Sequence, residues 1–127
     1  MIVNSTTTDL KKTVVDIEPQ DFFNRSTPPL LIDVRSGFEY KIFHAPHAIN
    51  LSLPRILMAN LPGLNRLILP QWFRLLPKNQ PIAVICLTAH RSPIAAAKLA
   101  KLGFTQIYNI SGGMMAWRSA ELPIDKG

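Results

Sequence analysis

The chain has 127 residues, enough for one hydrophobic core and too few for two ordinary domains. Hydrophobic residues make up 47% and charged residues 17%, which excludes a disordered chain, and no apolar run approaches the ~20 residues that span a bilayer. A single cysteine cannot close an internal disulfide, one Cys with three scattered His is a poor metal set, and the net charge of +6 favours anionic partners.

Met1 to Lys12 is polar and is expected to be a loose terminus, with one domain running from residue 13 to residue 124. Met1 to Thr13 lacks the basic start and apolar centre of a signal peptide, so a cytoplasmic location is expected. Val14-Val15-Asp16-Ile17 reads as a first strand and Pro19 to Phe23 as a short helix, with Phe22 and Phe23 as core contacts. Thr27-Pro28-Pro29 breaks the chain before Leu30 to Arg35, an apolar strand whose charged end suits a sheet edge where ligands bind. Arg35 has two readings there: it faces an anionic substrate, or it pairs with Asp33 or Glu39. Ser36 to Lys41 is a helical turn, and His44 to Leu51 leads into another short strand.

Leu53 to Pro77 holds Arg55, Arg66 and Arg74, no acidic residue and many apolar ones, and four prolines cut it into pieces too short for one amphipathic helix. It reads either as helical turns covering one sheet face or as a basic, apolar docking surface for a partner protein or an anionic membrane. Pro81 to Ile85 is then a short, β-branched, uncharged run, as in a strand buried on both faces.

The segment Cys86-Leu87-Thr88-Ala89-His90-Arg91-Ser92 follows, and the next helix is predicted with Ser92 as N-cap, Pro93 in its first position and Gly103 just past its end. The only cysteine therefore lies between the end of a central strand and a helix N-terminus. Backbone N–H groups, the helix dipole, Arg91 and a protonated His90 would all favour a thiolate there. The competing reading is a buried structural cysteine. Beyond the loop, Ala95, Leu99 and Leu102 share one helical face, Gln106 to Ile110 is a last strand, and a helix from Met114 to Ser119 follows Ser111-Gly112-Gly113, with Trp117 as a core anchor.

Strands alternating with helices imply an α/β domain, a parallel sheet with helices on both faces. Leu87 to His90 separate Cys86 from Arg91, one residue fewer than tyrosine and dual-specificity phosphatases place there, a ring that suits a single added sulfur better than a tetrahedral phosphate. The loop resembles the active-site loop of the rhodanese family of sulfurtransferases. Asp33-Val34-Arg35, Glu39-Tyr40 and His44-Ala45-Pro46-His47-Ala48-Ile49-Asn50 are similar to that family's first signature, and Gly112-Gly113 with Ala116-Trp117 to its closing one. Phe43, His47 and Ala89 stand where the family has glycine, and at Ala89 a positive φ would strain the loop.

The resemblance implies a rhodanese-like sheet of about five strands. It also implies a thiosulfate-type sulfurtransferase with Cys86 as nucleophile carrying a persulfide, and Leu87, Thr88, Ala89, His90, Arg91, Ser92 and Arg35 as substrate-binding residues. Its partners would be a small anionic sulfur donor and a cyanide or thiol acceptor, with no metal, no organic cofactor and no nucleic acid. The alternative is a non-catalytic binding or sulfur-carrier module of the same fold that docks a partner through residues 53–77.

Overall fold

In a computed structural model that describes residues 13–127, every side chain of Ile82–Ile85 (β4) is buried, as the uninterrupted apolar run predicts. The expectation for Met1 to Lys12 lies outside the described residues. Four more strands surround β4: Val14–Ile17 (β1), Leu30–Asp33 (β2), Ile49–Asn50 (β3) and Ile107–Ile110 (β5). They lie in the order β1-β5-β4-β2-β3, and every pairing is parallel. The predicted parallel α/β sheet is thus the observed one, with β4 at its centre.

Side chains alternate across this sheet, so each face collects its own core. On one face, Ile32, Ile82, Val84 and Ile107 pack with Leu51, Ile56, Leu69, Phe73, Ala95, Ala96 and Leu99. These come largely from the helices Leu53–Leu57 (α3), Asn65–Ile68 (α4), Gln71–Arg74 (α5) and Arg91–Lys101 (α6). On the other, Leu31, Ala83, Ile85 and Ile110 pack with Phe22, Met114 and Trp117 of the helices Pro19–Phe23 (α1) and Gly113–Ser119 (α7). Trp117 is 1% exposed and its indole N–H donates to the Pro123 carbonyl at 2.8 Å, the anchor expected of it. Phe23 is not a core residue: it is 44% exposed and lays its ring edge-on to Trp117.

The remaining helix among the described residues, Gly37–Ile42 (α2), starts in a capping box in which the Ser36 hydroxyl accepts from the Glu39 N–H and the Glu39 carboxylate accepts from the Ser36 N–H. The last residues pair with the segment after α2. Asp125 and His44 exchange backbone hydrogen bonds, and the Gly127 N–H reaches the Lys41 carbonyl at 2.7 Å. No helix among the described residues is long and apolar enough to cross a membrane.

The segment 53–77 turns two sides to two environments. Ile56, Leu69 and Phe73 are buried against the sheet, while Leu57, Leu61, Leu64, Leu67 and Leu75 are exposed. Two of its three arginines hold the short pieces together: Arg55 Nε donates to the Ile68 carbonyl at 2.6 Å and Arg74 Nε to the Leu69 carbonyl at 3.3 Å.

Candidate active site

Cys86 leaves the end of β4 and is 1% exposed, with its Sγ 3.4 Å from the Ser92 hydroxyl. The next two peptide groups are held from one side. The Cys86 carbonyl accepts from the Met114 N–H at 2.8 Å and the Leu87 carbonyl from the Met115 N–H at 2.9 Å, both in the first turn of α7. In a planar trans peptide the N–H points opposite to the carbonyl, so these two bonds turn the Leu87 and Thr88 N–H groups away from α7.

Among the described residues, the N–H groups of Leu87, Thr88, Ala89, His90, Arg91 and Ser92 have no backbone or side-chain acceptor. Thr88, Ala89 and His90 are exposed, Leu87 and Arg91 half-buried and Ser92 buried, so most of this run of donors faces solvent, open to an anion beside the thiol. They run into the first turn of α6, whose unpaired N–H groups carry the positive end of the helix dipole.

The close approach of α7 explains the Gly-Gly pair. Gly112 and Gly113 have φ of +73° and +61°, and a methyl group on Gly113 would come within 2.6 Å of the Leu87 carbonyl carbon. The opposite side of the loop is pinned by a two-pronged ion pair: Arg91 donates to Glu39 at 2.7 and 2.9 Å. That bond holds the Glu39 carboxyl down at about 2, and it raises the Arg91 pKa in turn. Arg91 therefore stays cationic with its charge already matched by Glu39, and it serves the loop as a clamp.

The expected helix start shifts. The helix begins at Arg91 with His90 in the cap position, and Ser92 is wholly buried inside the first turn. Its hydroxyl donates to Asn109 Oδ1 at 2.6 Å, and Asn109 Nδ2 donates to Asp16 Oδ1 at 3.0 Å. Neither Asn109 nor Asp16 stood out in the sequence. A polar residue in the otherwise apolar last strand, Ile107-Tyr108-Asn109-Ile110, was the one available signal.

Arg35 resolves between its two readings. It is 1% exposed, pairs with Asp33 at 2.8 Å and donates to the Phe43 carbonyl at 2.6 Å, so as a substrate contact it must be withdrawn. A buried guanidinium requires such partners, and the strand-end carboxylate two residues away supplies the nearest one. Ala89 has no positive φ, so the strain foreseen there does not arise. Of the two glycine replacements near β3, Phe43 is extended at φ −166°, and His47 is left-handed at φ 68°. No group of three or more metal-ligating side chains lies together among the described residues.

A five-stranded parallel sheet whose central strand delivers one cysteine into a strand-to-helix loop, with helices on both faces, defines the class as an α/β domain. The chain belongs to the rhodanese-like domain family, whose sequence model matches residues 5–120. Thiosulfate sulfurtransferase GlpE of Vibrio cholerae is 28% identical over 95 residues, covering 75% of this chain and 77% of that protein. The adenylyltransferase and sulfurtransferase uba4 of Neosartorya fischeri is 32% identical over 117 residues. That match covers 79% of this chain and 24% of uba4, so the chain spans about a quarter of that protein's length. Among solved structures, a rhodanese-like domain from Anabaena superposes with a TM-score of 0.72 at 17% identity, covering 88% of this chain and 79% of that one. The polysulfide-sulfur transferase homodimer of Wolinella succinogenes gives 0.65 at 25% identity, covering 99% and 88%.

Proposed function

We propose that this chain is a sulfurtransferase in which Cys86 carries the moving sulfur as a persulfide. The observation that supports it most is the run of free N–H groups from Leu87 to Ser92 beside the Cys86 thiol. Fixed dipoles around an anionic sulfur need no reorganisation during transfer, which is the condition for stabilising it as it forms. The sulfurtransferase relatives point the same way.

With thiosulfate as donor, the Cys86 thiolate attacks the outer sulfur. The new S–S bond forms as the old sulfur–sulfur bond breaks, and sulfite leaves with its electron pair. The terminal persulfide sulfur is then taken by cyanide or a thiolate acceptor, which regenerates the Cys86 thiolate. Arg91, clamped to Glu39, keeps the loop closed around the sulfur, and Ser92 touches it from the core side. The test is thiocyanate formation from thiosulfate and cyanide: the parent protein turns over, and Cys86→Ser has no activity above background. Equal rates for the two would overturn the proposal.

A second reading is supported by the exposed leucines of 53–77: the domain passes its sulfur to, or simply binds, a partner docked on that surface. In that case Cys86→Ser leaves partner binding intact while Leu67→Glu abolishes it.

A further inference from the structure

The buried polar chain behind the thiol has a direction, and its consequence rests on Cys86 being the reactive group. A carboxylate can only accept hydrogen bonds, so at Asp16 it is the Asn109 Nδ2 that faces it, at 3.0 Å. The amide oxygen of Asn109 is thereby turned toward Ser92 and takes the single hydroxyl proton at 2.6 Å. Ser92 then has only lone pairs left for Cys86 Sγ, 3.4 Å away. The chain receives a proton from the neutral thiol and offers none to a thiolate or a persulfide.

We propose that Asp16, acting through Asn109, is a positioning residue that fixes Ser92 as an acceptor toward Cys86 Sγ and so sets the reactivity of that sulfur. Asp16 lies exposed on β1, and both intermediates, Ser92 and Asn109, are buried, so a surface carboxylate dictates the polarity of a hydrogen bond inside the core. Replacing it by a group that can donate lets the Asn109 amide turn over. Nδ2 then serves the Ser92 oxygen, and the Ser92 proton is free to point at sulfur. Arg91 is held by Glu39 on the other side of the loop, and a substitution at position 16 leaves that pair in place.

The experiment is the rate of Cys86 alkylation by iodoacetamide across pH in the parent, Asp16→Asn, Ser92→Ala and the double variant. Asp16→Asn is expected to be alkylated roughly 2- to 10-fold faster at neutral pH, the ratio that one net hydrogen bond to the thiolate provides. In the Ser92→Ala background the same substitution should have no effect, because the link is gone. Should Ser92→Ala fail to fold, Asn109→Leu severs the chain equally well and should silence the substitution too. An unchanged rate in Asp16→Asn overturns the inference, and so does an equal acceleration with the chain severed, which would mean that the charge at position 16 acts through space. The same samples are weighed after thiosulfate treatment. Sulfur uptake by none of them, with the alkylation pattern as expected, rejects the sulfurtransferase reading and leaves the hydrogen-bond direction standing.

Discussion

His47 holds a left-handed backbone that L side chains adopt at a cost, at a position where the resemblance to the family's first signature implies glycine. His47→Gly is expected to stabilise the fold by about 0.5–1 kcal/mol, read as a higher urea midpoint at unchanged slope. A lower midpoint would mean that the imidazole contributes contacts worth more than the strain. Phe43 differs although it too replaces a glycine: its backbone is extended, and its ring is flanked by the guanidiniums of Arg35 and Arg118 at 5.1 and 4.8 Å. Which of the two replacements carries strain was not legible in the sequence, because missing glycines are visible there and φ angles are not. The same holds for Ala89, where the family comparison foresaw strain and the backbone has none.

The loop is an element held between two others, α7 on one side and Glu39 of α2 on the other. Gly113→Ala places a methyl group against the Leu87 carbonyl and is expected to cost about 2–4 kcal/mol and to remove activity through displacement of the loop. Denaturation and thiocyanate assays on the same preparation check both.

Glu39 acts in a pH window. Its folded-state pKa, about 2, lies below the ordinary value of 4.5, so its contribution is complete above pH 4.5 and disappears as pH falls toward 2. For a partly exposed pair this is about 1 kcal/mol. Glu39→Gln, which retains the capping box, should therefore be less stable than the parent at pH 6 and equal to it near pH 2. A difference that persists in acid would assign the loss to packing.

Much at this scale was readable: the strand before Cys86 and Gly103 after α6. The start of α6 was misplaced because Ser92 suits an N-cap by type, whereas its hydroxyl is drawn inward by Asn109, a partner 17 residues away that local pattern does not reveal.

At the scale of the whole molecule, the all-parallel sheet and its two covered faces followed from strand and helix order, since parallel strands need crossovers and crossovers bring helices. Segment 53–77 was ambiguous because one stretch both buries and exposes apolar residues, and composition does not say which. Ile56, fully buried, and Leu67, 82% exposed, separate the two roles. Ile56→Ala should cost about 2–5 kcal/mol and Leu67→Ala less than about 0.5, measured by urea unfolding.

All of this converges on one sulfur atom at one thiol, and intact-mass measurement after thiosulfate treatment addresses it most directly. The parent protein should gain the mass of a single sulfur, lose it again to cyanide or a thiol, and show no such gain as Cys86→Ser. A parent that stays at its starting mass, or a Cys86→Ser protein that gains sulfur as readily, would contradict the assignment of Cys86 as the carrier.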